Sequence, residues 1–128
     1  MFNKTKLYFA IILLFSLSIA YSQNSDGPFK KLFNREGFVV SFIFYSDGDG
    51  EENNGVVIYL ENMNDYNISF QLTLIFRAGA IDRMKTINGT MIPHEKRTGS
   101  NDELYFIPFE DGRSLSEVGI KNCRVRKN

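Results

Sequence analysis

From Asn67 to Arg77 the chain reads Asn-Ile-Ser-Phe-Gln-Leu-Thr-Leu-Ile-Phe-Arg. Ile68, Phe70, Leu72, Leu74 and Phe76 take alternate positions, with Ser69, Gln71, Thr73 and Arg77 between them and Ile75 the apolar exception. An extended backbone turns successive side chains to opposite faces, so a period of two makes one face apolar and the other wet. A helix would scatter the same apolar residues round its circumference. The rest of the chain must therefore supply a second layer to cover that face.

Further extended segments are legible on both sides. Phe29–Phe33 reads as a short first strand, and Arg35-Glu36-Gly37 turns the chain into Phe38–Tyr45. There Phe38, Val40, Phe42 and Phe44 make one apolar face, and Val39, Ile43 and Tyr45 make the other apolar too. Val56–Asn62 alternates again, and the short polar run Met63–Tyr66 predicts a hairpin into the long strand. Ala78-Gly79-Ala80 breaks that strand. A weaker one runs over 85–92, interrupted at Asn88-Gly89, a pair that favours left-handed backbone. His94–Asp102 reads as a loop and Leu104–Phe109 as a strand, with Pro108 putting its far end at an edge or bulge. In the last strand, from about Glu117 to Val125, Val118 and Ile120 have one parity and Cys123 and Val125 the other. A bulge near Lys121-Asn122 returns all four to the core side.

Short strands, turn signals between them and no convincing helix predict an all-β, antiparallel sandwich, with a small closed barrel as the alternative. The order and loop lengths resemble an immunoglobulin-like or fibronectin-like domain at the level of fold. The antibody-type signature is missing, because the chain has no Trp and one Cys.

Residues 1–22 read as a secretory signal peptide: Lys4 and Lys6, an apolar run from Leu7 to Leu17, then the small residues Ser18, Ala20 and Ser22. We expect cleavage after Ser22, with Ala20 as the alternative, and one domain over 23–128. The apolar run is shorter than the ~20 residues of a spanning helix, so no stable membrane insertion is expected once it is removed. The mature chain would be secreted or periplasmic. With Cys123 as the only cysteine, it rests on its core and not on a disulfide framework. Removing Lys4 and Lys6 leaves 13 basic residues against 15 acidic, a net charge of −2, which speaks against nucleic acid as the partner.

Among residues that could carry chemistry, the loop 46–55 stands out. Asp47, Asp49 and Glu51 alternate, Glu52 follows, and glycines let the backbone curl. Hard cations such as Ca²⁺ take six to eight oxygens from a flexible segment of this kind. Its opening resembles the helix-flanked calcium loop, without that motif's closing Glu or its helices. The plainer reading is a solubilising loop between two apolar strands, and no other cofactor is implied.

His94, the single histidine, has no nucleophile identifiable by spacing, and Glu110 and Asp111 flank a turn. An enzyme is the disfavoured class. Cys123 reads as a small buried hydrophobe, conditional on the bulge. Asn67-Ile68-Ser69 and Asn88-Gly89-Thr90 match the N-glycan acceptor pattern and are also ordinary polar turn residues.

The remaining feature is a second apolar face. Val39, Ile43, Tyr45, Val57, Tyr59, Tyr105 and Ile107 all lie opposite the main core stripe of their strands. On neighbouring strands they would form one patch, able to receive a protein partner unless chain ends or loops cover it. The expected function is a non-catalytic exported domain acting by protein contact, or a cell-envelope component. A small-ligand or Ca²⁺-binding domain is the alternative.

Overall fold

The computed structural model describes residues 29–128; the leader, its cleavage point and the first residues of the domain lie outside them. Among the described residues the strands are β1 (Lys30–Arg35), β2 (Phe38–Tyr45), β3 (Gly55–Asn62), β4 (Ile68–Ala78), β5 (Ile81–Met91), β6 (Lys96–Thr98), β7 (Tyr105–Phe106) and β8 (Glu117–Lys127). A single 3₁₀ turn, Ser100–Asp102, separates β6 from β7. Every strand pairing is antiparallel. One sheet runs β1-β2-β3-β6, with β7 also on β3, and the other runs β5-β4-β8. The sandwich is thus the architecture, and the barrel alternative falls because the sheets do not close on each other.

β4 is the middle strand of its sheet, and its alternation survives intact. Ile68, Phe70, Leu72, Leu74 and Phe76 are buried, while Gln71 and Arg77 are exposed. They meet Phe38, Val40, Val56, Ile58 and Leu60 from the facing sheet. The ring of Phe38 stacks on Phe70 with centroids 4.8 Å apart, and Phe76 meets Phe106 at 5.5 Å. Full burial of side chains this size is worth roughly 1.5–3 kcal/mol each. The bulge is also present. Thr73 pairs Asn122 and Leu74 pairs Ile120, so Lys121 is skipped and Val118 and Cys123 both reach the core.

Other expectations need correction. β3 and β4 do not form a hairpin, because β3 belongs to one sheet and β4 to the other. The corner is built by Asn62, fully buried, whose amide donates to the carbonyls of Tyr66 (2.9 Å) and Ile92 (3.0 Å) while its Oδ1 accepts from the Asn64 backbone N–H (3.0 Å). Asn64 in turn donates to the Glu36 carbonyl at 2.8 Å and lies against Gly37, where φ is 82° and a Cβ would come within 2.7 Å of its side chain. These side chains satisfy backbone groups that a hairpin ladder would have paired.

β5 is longer than expected and runs straight through Asn88-Gly89, in unbroken register with β4 from Ala78↔Ile81 to Ile68↔Met91. The ladder overrides the local preference of that pair. The expected loop 94–102 contains β6, which extends the edge of β3 by pairing Tyr59 with Thr98 and Glu61 with Lys96. The expected strand 104–109 shrinks to Tyr105–Phe106, because β6 already occupies one stretch of that edge and Pro108 follows.

Candidate functional site

The outer face of the five-stranded sheet is set by register. Ile43 pairs Val57 and Val57 pairs Tyr105, so the three side chains stand in one row across β2, β3 and β7. At the end of β2 the half-exposed ring of Tyr45 meets Tyr105 edge-on, with centroids 5.6 Å apart and planes at 88°. Tyr59 occupies the next outward position on β3, under Phe29 at 5.5 Å. Ile107 follows β7 and is 42% exposed. Val39 is different: it lies further along β2, beyond Ser41, and at 5% exposure it offers nothing to a partner. The structure therefore gathers Ile43, Tyr45, Val57, Tyr59 and Tyr105, leaves Ile107 at the margin, and withdraws Val39.

A shallow hollow of about 350 Å³ opens beside this row, lined by Tyr45, Asp47, Val57, Gly99, Ser100 and Tyr105. The Tyr105 hydroxyl is buried over Gly55 with no hydrogen-bond partner among the described residues. Its pKa is raised, first by burial and then by the neighbouring Asp47 carboxylate and Tyr45.

The acidic loop is held by a buried amide and by backbone bonds to a neighbouring loop. Asn54, 3% exposed, accepts from the Asp47 N–H (2.7 Å) and donates to the Asp47 carbonyl (2.8 Å). Across from it, Glu51 N–H donates to the Gly112 carbonyl (2.8 Å) and Leu115 N–H to the Asn53 carbonyl (2.9 Å). Gly50 is needed there because a Cβ would come within 2.4 Å of the Asn54 amide and 2.9 Å of the Gly112 carbonyl. Gly50 thus serves close packing of two loops, while Gly48, where an added Cβ would meet nothing within 4 Å, supplies a positive φ of 61°. Asp47, Asp49, Glu51 and Glu52 are all exposed, and among the described residues no group of three His, Cys, Asp or Glu side chains converges as metal ligands.

His94 sits in the β5–β6 connection with its Nε2 2.7 Å from Asp65 Oδ1, both side chains exposed. Cys123 is buried and free, its thiol pKa raised by that burial and moderated by Arg35. Asn67 and Asn88 are both exposed.

Sequence reasoning missed the open edge of the sandwich. Between β5 and the β6–β7 segment lies a cleft of about 690 Å³, floored by Leu60, Phe70, Ile87, Leu104 and Phe106. Lys85 and Arg97 stand at its rim beside Asp102 and Glu103. The signal was present: Lys85 and Arg83 pair with the core residues Leu74 and Phe76, and charges at inward parity mark an edge that does not close.

No helix among the described residues is long and apolar enough to cross a membrane. No protein-family model matches the chain, and no curated protein matches it. Among solved structures it is similar to the Salmonella enterica trimeric lipoprotein SadB, at 12% identity over 95% of this chain and 77% of that one, with a TM-score of 0.32. A likeness that loose transfers no residue role.

Proposed function

We propose that this is an exported, non-catalytic β-sandwich domain that works by contact with another protein, through the Tyr45–Tyr105 end of its five-stranded sheet. One observation carries the reading: Tyr45, 52% exposed, stands over Tyr105 beside the Ile43–Val57 row, an amphipathic aromatic cluster on the outer face of the five-stranded sheet. Tyrosines supply large contact area with few rotatable bonds and keep a hydroxyl for the partner, which is why they concentrate at interfaces. Export rests on the basic, apolar and small-residue pattern of 1–22.

The test is a photo-crosslinking residue placed at position 45, and separately at the exposed position 84 on the opposite sheet, in the exporting cell. A discrete adduct from position 45 that Ile43→Asp abolishes supports the contact face. Equal adducts from both positions, or none from position 45, would overturn it.

A second reading has its own observation. The cleft at the open edge has Leu60, Phe70 and Leu104 below and Lys85 at its rim, free of any ion pair among the described residues. Arg97 is held by Glu95, so Lys85 is the group that would take the head of a small amphiphilic acid. Binding of a fluorescent alkyl carboxylate, lost in Lys85→Glu, would favour it over protein contact.

A further inference from the structure

The register of the three-stranded sheet also fixes its outer face. Reading across β5, β4 and β8, one row is Asn88, Gln71 and Arg124, and the next is Thr90, Ser69 and Arg126. Five of these six side chains are exposed and Ser69 is half-buried. Ser69, Gln71, Asn88, Arg124 and Arg126 line a depression of about 430 Å³. The alternation of β8 puts both guanidiniums on the same side, roughly 7 Å apart along the strand. No carboxylate occupies either row, and neither Arg124 nor Arg126 has an ion-pair partner among the described residues.

The far end of the same face shows an arginine with its charge paired within the sheet. Arg77 is held between Asp82 (2.8 Å) and Glu117 (3.1 Å), one on each neighbouring strand. Its charge is neutralised in place. Arg124 and Arg126 have the same strand geometry with neutral amides and hydroxyls where those acids would be.

We propose that this face binds a linear acidic polysaccharide, its carboxylates on Arg124 and Arg126 and its hydroxyls on the Gln71 and Asn88 amides. A guanidinium presents a planar pair of donors to a carboxylate, and a side-chain amide both donates to and accepts from a sugar hydroxyl. The shallow, open shape suits an extended polymer more than a small enclosed ligand. A neutral glycan would call for an aromatic platform, which these rows lack. Nucleic acid calls for a broader basic footprint, and an anionic membrane for a larger cluster of cations. The site lies on the sheet opposite the Tyr45 cluster, so it stands independently of the protein-contact reading.

The test uses the secreted chain with three probes in low-salt buffer: a polygalacturonate oligosaccharide, neutral dextran and single-stranded DNA, followed by calorimetry. The expected result is binding of polygalacturonate, weakened by added salt and reduced at least about tenfold in the Arg124→Ser/Arg126→Ser double variant. Dextran should not bind, and Ile43→Asp on the other sheet should bind polygalacturonate like the parent. Both arginines are exposed, so an unchanged melting temperature of the double variant shows that the loss is one of contact and not of fold. For Gln71→Ala, which leaves both charges in place, a severalfold loss is expected. Absence of polygalacturonate binding overturns the proposal, as does equal binding by the double variant. DNA bound as tightly as the oligosaccharide, or Gln71→Ala without effect, would make the face a plain anion surface and overturn it equally.

Discussion

Arg35, at the end of β1, donates from Nη1 to the backbone carbonyl of Cys123 on β8, 2.5 Å away. The two strands belong to different sheets, so this charge-assisted bond closes one flank of the sandwich. Arg35→Ala leaves a carbonyl without its donor and should destabilise the fold by about 1–2 kcal/mol. In a domain of this size that lowers the melting temperature by several degrees. An unchanged melting curve would mean that water replaces the guanidinium at no cost.

Cys123 should behave as a core residue. A thiol reagent should modify it slowly in the native protein and rapidly in denaturant. Cys123→Ser places a hydroxyl among apolar side chains and should cost about 1–3 kcal/mol, more than Cys123→Ala. The raised thiol pKa also has a sign: the unfolded chain releases this proton first. The stabilisation it contributes is present below the ordinary thiol value and lost as pH rises through the folded one. Fast native labelling would contradict the bulge at Lys121.

The bulge was legible because it is written in parity, as was β4: Val118 and Ile120 against Cys123 and Val125 leave no other way to keep four apolar residues on one side. Local alternation encodes which face a residue takes. It does not encode which sheet a strand joins. Met63–Tyr66 is short enough for a hairpin, and only the burial of Asn62 against Met91 and Ile92, about thirty residues away, makes it a corner. The same limit explains β6 and β7, whose lengths depend on how they share one edge of β3. On the outer faces, the Tyr45–Tyr105 row was visible because its members are apolar on both sides of a strand. The Arg124–Gln71–Asn88 row was not, because polar residues at outward parity look like any solvated surface until three strands are aligned.

That corner gives a sharp prediction. Asn62→Ala removes the donor from the Tyr66 and Ile92 carbonyls and the acceptor from Asn64 N–H; Asn62 is fully buried and these partners are part-buried. Orphaned buried polar groups cost about 1–3 kcal/mol, and water reaches part-buried ones, so a loss of about 2 kcal/mol is expected in urea unfolding. Gln71→Ala, on the wet face of β4, should stay within about 0.5 kcal/mol of the parent.

Tyr105→Phe should act in the opposite direction. The hydroxyl it removes is buried without a partner, so the variant should be more stable by up to about 1 kcal/mol. The parent's phenol is harder to ionise folded than unfolded, which makes its contribution complete below the ordinary tyrosine pKa near 10 and lost as pH rises beyond it. The Phe variant should therefore lose less stability in alkali. A destabilised variant would mean that the hydroxyl has a partner, such as a bound water.

Glu95 and Arg97 form the staple that holds β6 to the end of β5. The Glu95 Oε2 lies 2.5 Å from Arg97 Nε, its Oε1 accepts from the Ile92 N–H at 3.0 Å, and the Arg97 Nη2 donates to the Thr90 carbonyl. The hydrogen bond from Arg97 is the main cause of the lowered Glu95 pKa, with the Ile92 N–H and the Arg97 charge adding to it against partial desolvation. A carboxylate depressed in the folded state contributes stability above its unfolded value near 4.5, and that contribution disappears as pH falls through the folded value. Asp82 and Asp111 are depressed as well, by Arg77 and Arg113, but those pairs stand in solvent and weigh little. Glu95→Gln keeps the shape and one acceptor while removing the charge. Comparing the two proteins by thermal melts isolates the staple: the parent should be more stable by about 1 kcal/mol at neutral pH, and the difference should close once acid has protonated Glu95. A gap that stayed constant across that range would place the stabilisation in packing of the Arg97 stem and not in the charge of Glu95.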